Sequence, residues 1–174
     1  MRSIFLLSLI AMPWLATSAD AQESASDPRC ATVRVAFPAE LSRWSQRSPA
    51  KAGTSTRTAP VVVIGRGVDL QLAPADQVTP AAQPGKPAEG ETNAGLALFQ
   101  VSRGGTYRVA LGEAAWIDVI RAGRAMPATG HGHGPICTGI RKIVDFRLTP
   151  GRYVLQLTGT PATTVPMLIA RGTA

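Results

Sequence analysis

Gly104-Gly105-Thr106-Tyr107-Arg108-Val109 and Pro150-Gly151-Arg152-Tyr153-Val154-Leu155 repeat one device at two places in the chain. In each, glycine allows a turn and a tyrosine then opens an alternating apolar and polar run. Packing of the ring, with a hydrogen-bond partner for the hydroxyl at the rim, accounts for a tyrosine in that position, an arrangement reminiscent of the tyrosine corner of sandwich folds. Gly105, Tyr107, Gly151 and Tyr153 are therefore expected to be structural punctuation at strand entries.

The same two-residue period extends outward in both directions. Cys30–Phe37 alternates with Val33 and Val35 on one face, and Val61–Ile64, Val68–Leu72, Leu96–Val101, Tyr107–Leu111, Trp116–Ile120, Ile140–Leu148, Tyr153–Leu157 and Val165–Ile169 continue the series. No segment sustains a helical period. The pattern predicts an all-β domain, an antiparallel β-sandwich of jelly-roll type with about eight strands. A cupin-like barrel, closed round an inward-facing ligand cluster, is its nearest competitor. Residues 43–59, rich in Ser, Thr, Arg, Lys, Gly and Pro, and residues 74–94, which hold Pro74, Pro80, Pro84, Gly85, Pro87, Gly90 and Asn93, are expected as long mobile surface loops.

The beginning of the chain has the form of an export leader. Arg2 precedes the apolar run Ile4–Met12, which is too short to span a bilayer, and Ala19-Asp20-Ala21 offers small residues for cleavage before Gln22. Residues 1–21 are thus expected to be a signal peptide and 22–174 a single domain. Loss of one base, Arg2, and one acid, Asp20, leaves the net charge at +7. Localisation is expected to be periplasmic or secreted, with no transmembrane segment after cleavage. In such a compartment Cys30 and Cys137 are expected to form a disulfide, with Cys137 as a metal thiolate the alternative. The basic residues are mostly arginines scattered along the sequence, and aromatics make up 5% of it, which argues against nucleic acid as partner. Solubility and attraction to an anionic envelope surface account for the charge.

From Leu96 to Gly159 the order "LALFQVSRGGTYRVAL", "AWIDVIRAGRAM", "IVDFRLTPGRYVLQLTG" resembles the β-sandwich accessory domains at the C-terminal ends of secreted bacterial peptidases, which implies the fold alone. The stretch "AWIDVIRAGRAMPATGHGHGPICTGIRKIVDF" is similar to small exported proteins of alphaproteobacteria often labelled homogentisate 1,2-dioxygenase. The dioxygenase family proper is a much longer cytosolic protein that holds iron with two His and a Glu on a cupin scaffold. Here there are two His in all and no matching Glu motif, so the resemblance implies an exported family rather than that reaction.

One segment could carry chemistry: Gly130-His131-Gly132-His133-Gly134-Pro135-Ile136-Cys137. Histidines at i and i+2 on extended backbone point to one side, so His131 and His133 could reach one Cu, Zn or Fe ion, with Asp118 or Glu113 as candidates for a further ligand. The competing reading is a glycine-rich surface loop with solvated histidines. No residue is assigned a catalytic role: the serines lack a nucleophile elbow, the glycines lack the strand-to-helix setting of a phosphate loop, and Asp118 and Asp145 are expected to pair with nearby Arg. Two functions follow. The first is a non-catalytic exported module that binds an envelope component or small ligand; the second is a metal-dependent or dioxygenase-like protein centred on His131 and His133.

Overall fold

A computed structural model describes residues 28–87 and 89–172. The expected leader lies outside these residues. Eleven strands form two facing sheets. The six-stranded sheet contains β1 (Arg47–Lys51), β2 (Gly67–Gln71), β5 (Gly105–Leu111), β8 (Ala128–Gly132), β9 (Lys142–Leu148) and β11 (Thr164–Arg171), in the order β1-β2-β11-β5-β9-β8. The five-stranded sheet contains β3 (Ala73–Pro74), β4 (Asn93–Val101), β6 (Trp116–Arg121), β7 (Arg124–Ala125) and β10 (Gly151–Thr160), in the order β3-β4-β10-β6-β7. Apart from β1, which runs parallel to β2, every pairing is antiparallel.

The topology is a jelly roll, and the pairings show why. Without the edge strands β1, β3 and β8, the chain is one long hairpin folded on itself: β2 pairs β11, β4 pairs β10, β5 pairs β9 and β6 pairs β7. Rolling that hairpin places alternate pairs in opposite sheets, giving β2-β11-β5-β9 against β4-β10-β6-β7. The inner faces supply the core, with Phe99, Tyr107, Val109, Val119, Phe146, Tyr153, Leu155 and Met167 buried together and Phe99 stacked on Tyr153 at 5.5 Å.

Several expectations need correction. Cys30–Phe37 is not a strand. It begins in a single 3-10 turn, Pro28–Cys30, and continues irregularly, because this segment covers the outside of the six-stranded sheet rather than pairing at its edge. Leu41 and Trp44 are buried there against Ala110, Ile140, Leu168 and Ala170. The supposed loop 43–59 contains β1, held by Arg47 on Asp69 at 2.7 Å. Val61–Ile64 makes one isolated bridge, Val61 to Leu98, in place of a strand.

Both tyrosine corners are present. Tyr107 Oη donates to the Arg103 carbonyl at 2.7 Å and Tyr153 Oη to the Thr149 carbonyl at 2.9 Å, each four residues upstream. An arginine lies over the glycine of each corner: a Cβ on Gly151 would stand 2.9 Å from Arg121 Nη2, and one on Gly105 3.3 Å from Arg171 Nε. Cys30 and Cys137 form the expected disulfide, with Cα atoms 5.4 Å apart, so Cys137 is no metal thiolate.

Candidate functional site

A groove of 530 Å³ opens at the end of the sandwich opposite the tyrosine corners, where β6 and β9 begin and β8 and β10 end. The six-stranded sheet supplies His131 and His133 from β8 and its exit, and Arg141 and Lys142 from the entry to β9. The five-stranded sheet supplies Ala115, Trp116, Thr158 and Gly159. The segment Lys86-Pro87, with Glu89, completes the lining.

Trp116 is set in place from below. Its Nε1 donates to Asp118 Oδ1 at 3.0 Å, while Asp118 Oδ2 accepts from Gly85 N at 3.2 Å and from Gln156 Nε2 at 3.3 Å. Asp118 is therefore engaged by an indole, an amide and a backbone N–H rather than by the arginine expected for it, whereas Asp145 does pair with Arg108 at 3.3 Å. Gln156, fully buried, also accepts from Ala81 N at 2.8 Å and donates to the Ala82 carbonyl at 3.1 Å. These bonds strap the Pro-rich segment across the outer face of the sheet and deliver Lys86 to the groove.

Lys142 reaches over the Trp116 ring, 5.4 Å from its centroid, and donates to the Ala115 carbonyl at 3.1 Å. Burial, with a smaller contribution from the charge of Lys86, lowers the Lys142 pKa below the usual lysine value. An anion in the groove would oppose both effects by favouring the charged form of Lys142.

The two histidines line the same groove, as their i, i+2 spacing suggests. The register sets His131 opposite Val144, on the core-facing side of the sheet at its edge. His133 Nδ1 lies 3.0 Å from the Arg141 carbonyl, which can only accept, so Nδ1 carries the proton and Nε2 is left for the groove. Among the described residues no third His, Cys, Asp or Glu forms a metal-ligating cluster with them: Asp118 is committed to its three donors, Glu113 stands outside the lining, and Glu89 lines the groove without completing such a group.

The sequence matches no family model and no curated protein.

Two polar atoms complete the site. Thr158 Oγ1 and Arg141 Nη1 are buried without a hydrogen-bond partner, and both residues line the groove. Of the other buried orphan atoms, Arg108 Nε and Asp145 Oδ1 face one another in an ion pair, and Thr92 Oγ1 belongs to no groove residue. Two of the five orphan atoms among the described residues thus belong to side chains that line the groove.

Sequence reasoning located the histidines but not Lys86, Trp116, Arg141, Lys142 or Thr158. The one local signal was Trp116-Ile117-Asp118, an indole and a carboxylate on the same face of a strand.

Proposed function

We propose that the chain is an exported, non-catalytic binding module that takes a small anionic ligand in this groove. The observation that carries the reading is the pair of orphaned donors, Thr158 Oγ1 and Arg141 Nη1, in a groove that also presents Lys86 and Lys142 and a single carboxylate, Glu89. A ligand that accepts hydrogen bonds would remove the cost of leaving both donors unmade. Its negative charge would be matched by the lysines, and an apolar or ring face by the partly exposed Trp116. Export rests on the leader pattern and agrees with the disulfide.

D-glucuronate, with neutral D-glucose beside it, is a suitable first probe by amide chemical shifts and tryptophan emission. Glucuronate is expected to shift the amides of Ala115, Gly132 and Lys142, glucose to leave them in place, and Lys142→Ala to abolish the response. Groove amides that respond to neither glucuronate, inorganic phosphate nor citrate would overturn the reading.

The metal-dependent alternative keeps one observation in its favour. The proton on His133 Nδ1 is held by a backbone carbonyl, the arrangement that orients a ligating imidazole. Titration calorimetry with Cu(II), Zn(II) and Fe(II) decides it: stoichiometric binding that is lost in the His131→Ala/His133→Ala double variant supports a metal centre, and equal heats for the two proteins exclude one.

A further inference from the structure

The pole opposite the groove is built from arginine. On the six-stranded sheet Arg66 precedes β2, Arg171 ends β11 and Arg147 lies near the end of β9. The register brings these together: Leu168 faces Gly67, Arg171 faces Tyr107, and Arg147 faces Thr106. On the five-stranded sheet Arg121 and Arg124 face each other across the β6–β7 turn, and Arg152 opens β10. Arg103 sits in the turn from β4 to β5, which closes on the β9–β10 turn through the pairing of Val101 with Gly151 and of Gly105 with Leu148.

No Asp or Glu lies in the segments that meet there, 63–67, 100–107, 120–126, 146–153 and 169–172. None of the seven arginines is ion-paired with a described carboxylate. Asp76, Glu89, Glu91 and Glu113 all lie toward the groove end, among the connections at the start of β4 and the end of β5. Arginines that look scattered along the chain are therefore gathered in space, and seven charges equal the whole net charge of +7.

Two of them are held in position rather than left to sweep solvent. Arg121 donates to Thr149 Oγ1 and to Tyr153 Oη and lies over the Tyr153 ring, and Arg171 donates to the Gly104 carbonyl. The corners that close the sandwich thus also fix guanidinium groups at its tip.

We propose that this arginine pole docks the protein onto an anionic lipid membrane through its phosphate headgroups. The inference is independent of the groove. The charges occupy turns and strand ends at one end of both sheets, two rows about 10 Å apart with strands about 4.8 Å apart, so they form a broad face rather than a track for a chain. Guanidinium forks suit phosphate oxygens. Among the described residues the exposed tryptophan that would stack a nucleobase, Trp116, is at the opposite end. Docked in this way, the domain holds its groove away from the bilayer.

The test is sedimentation of the exported protein with large vesicles of phosphatidylglycerol and phosphatidylethanolamine, against vesicles of phosphatidylcholine. Binding is expected to the anionic vesicles alone and to fall as salt shortens the screening length. The triple variant Arg103→Gln/Arg124→Gln/Arg152→Gln, which leaves the two corner arginines intact, is expected to bind about a hundredfold more weakly, at about fivefold per charge. The triple variant Arg34→Gln/Lys51→Gln/Arg57→Gln removes the same charge elsewhere and is expected to change binding far less. Equal losses in the two triple variants, absence of binding to anionic vesicles, or capture by soluble heparin without vesicle binding would each overturn the proposal.

Discussion

Gly85 shows how much of the groove hangs on single atoms. A Cβ there would stand 2.8 Å from Trp116 Nε1 and 3.0 Å from Asp118 Oδ1, both already committed to a hydrogen bond with each other. Gly85→Ala must therefore lift the strap and break the bond from Gly85 N to Asp118. The expected cost is about 1–3 kcal/mol, the range for overpacking a filled site, together with a red shift of Trp116 emission as the indole loses its cover. A melting temperature and emission both equal to those of the parent would show that the strap does not bear on Trp116. Little of this was legible in the sequence. Pro84-Gly85 announces a turn, but nothing in a Pro-rich run says that a buried Gln156 and Asp118, about 70 and 30 residues further along the chain, will hydrogen-bond its backbone. The histidines were visible because their spacing is local. Thr158 and Arg141 were not, since an orphaned atom is a property of packing.

The tyrosine corners are the element whose reading transferred best, because each is specified within five residues. Their surroundings differ, however, and so should their energetics. Tyr107 Oη has the Arg103 carbonyl as its one hydrogen-bond partner among the described contacts, while Tyr153 Oη donates to the Thr149 carbonyl and accepts from Thr149 N and from Arg121 Nη1, each at 3.2 Å. Removing the hydroxyl at 107 orphans one carbonyl; removing it at 153 also strips a partner from a charged donor. Tyr107→Phe is expected to cost about 1 kcal/mol and Tyr153→Phe about 2–3 kcal/mol in urea unfolding. Equal costs would mean that Arg121 contributes nothing through the ring hydroxyl. The long inner strands were legible for the same local reason, the two-residue period of residues such as Tyr153, Leu155 and Leu157. The edge strands were not: β1 reads Arg-Ser-Pro-Ala-Lys and β8 reads Ala-Thr-Gly-His-Gly. Each has a partner on one side only, so neither needs an apolar face to be held. The opposite error, reading Cys30–Phe37 as a strand, arose because Val33 and Val35 alternate by chance in a segment that contributes Phe37, Leu41 and Trp44 to an outer cluster instead.

At the scale of the whole molecule, the segment from Cys30 to Trp44 is fastened by three kinds of force, and their separation can be measured. The disulfide ties its start to Cys137, close to the groove; Glu40 pairs with Arg108; and Leu41 and Trp44 are buried on the outer face of the six-stranded sheet. The covalent tie acts chiefly on the unfolded chain. Closing a loop of 107 residues removes about 4–5 kcal/mol of chain entropy on the loop-closure model. Burial of the two large side chains acts on the folded state and does not need the tie, since Leu41 is fully buried and Trp44 is 3% exposed. Reduction is therefore expected to lower the melting temperature by about 10 °C, at roughly 2–4 °C per kcal/mol for a domain of this size, while the folded protein keeps Leu41 and Trp44 seated on the sheet. In a Trp116→Phe variant of residues 22–174, where Trp44 is the one tryptophan left, the fluorescence should stay blue-shifted after reduction until the whole domain melts. A red shift that precedes global unfolding would mean that the disulfide, and not the apolar cluster, seats the segment. An unchanged melting temperature would mean that the unfolded chain already keeps Cys30 near Cys137 without the bond.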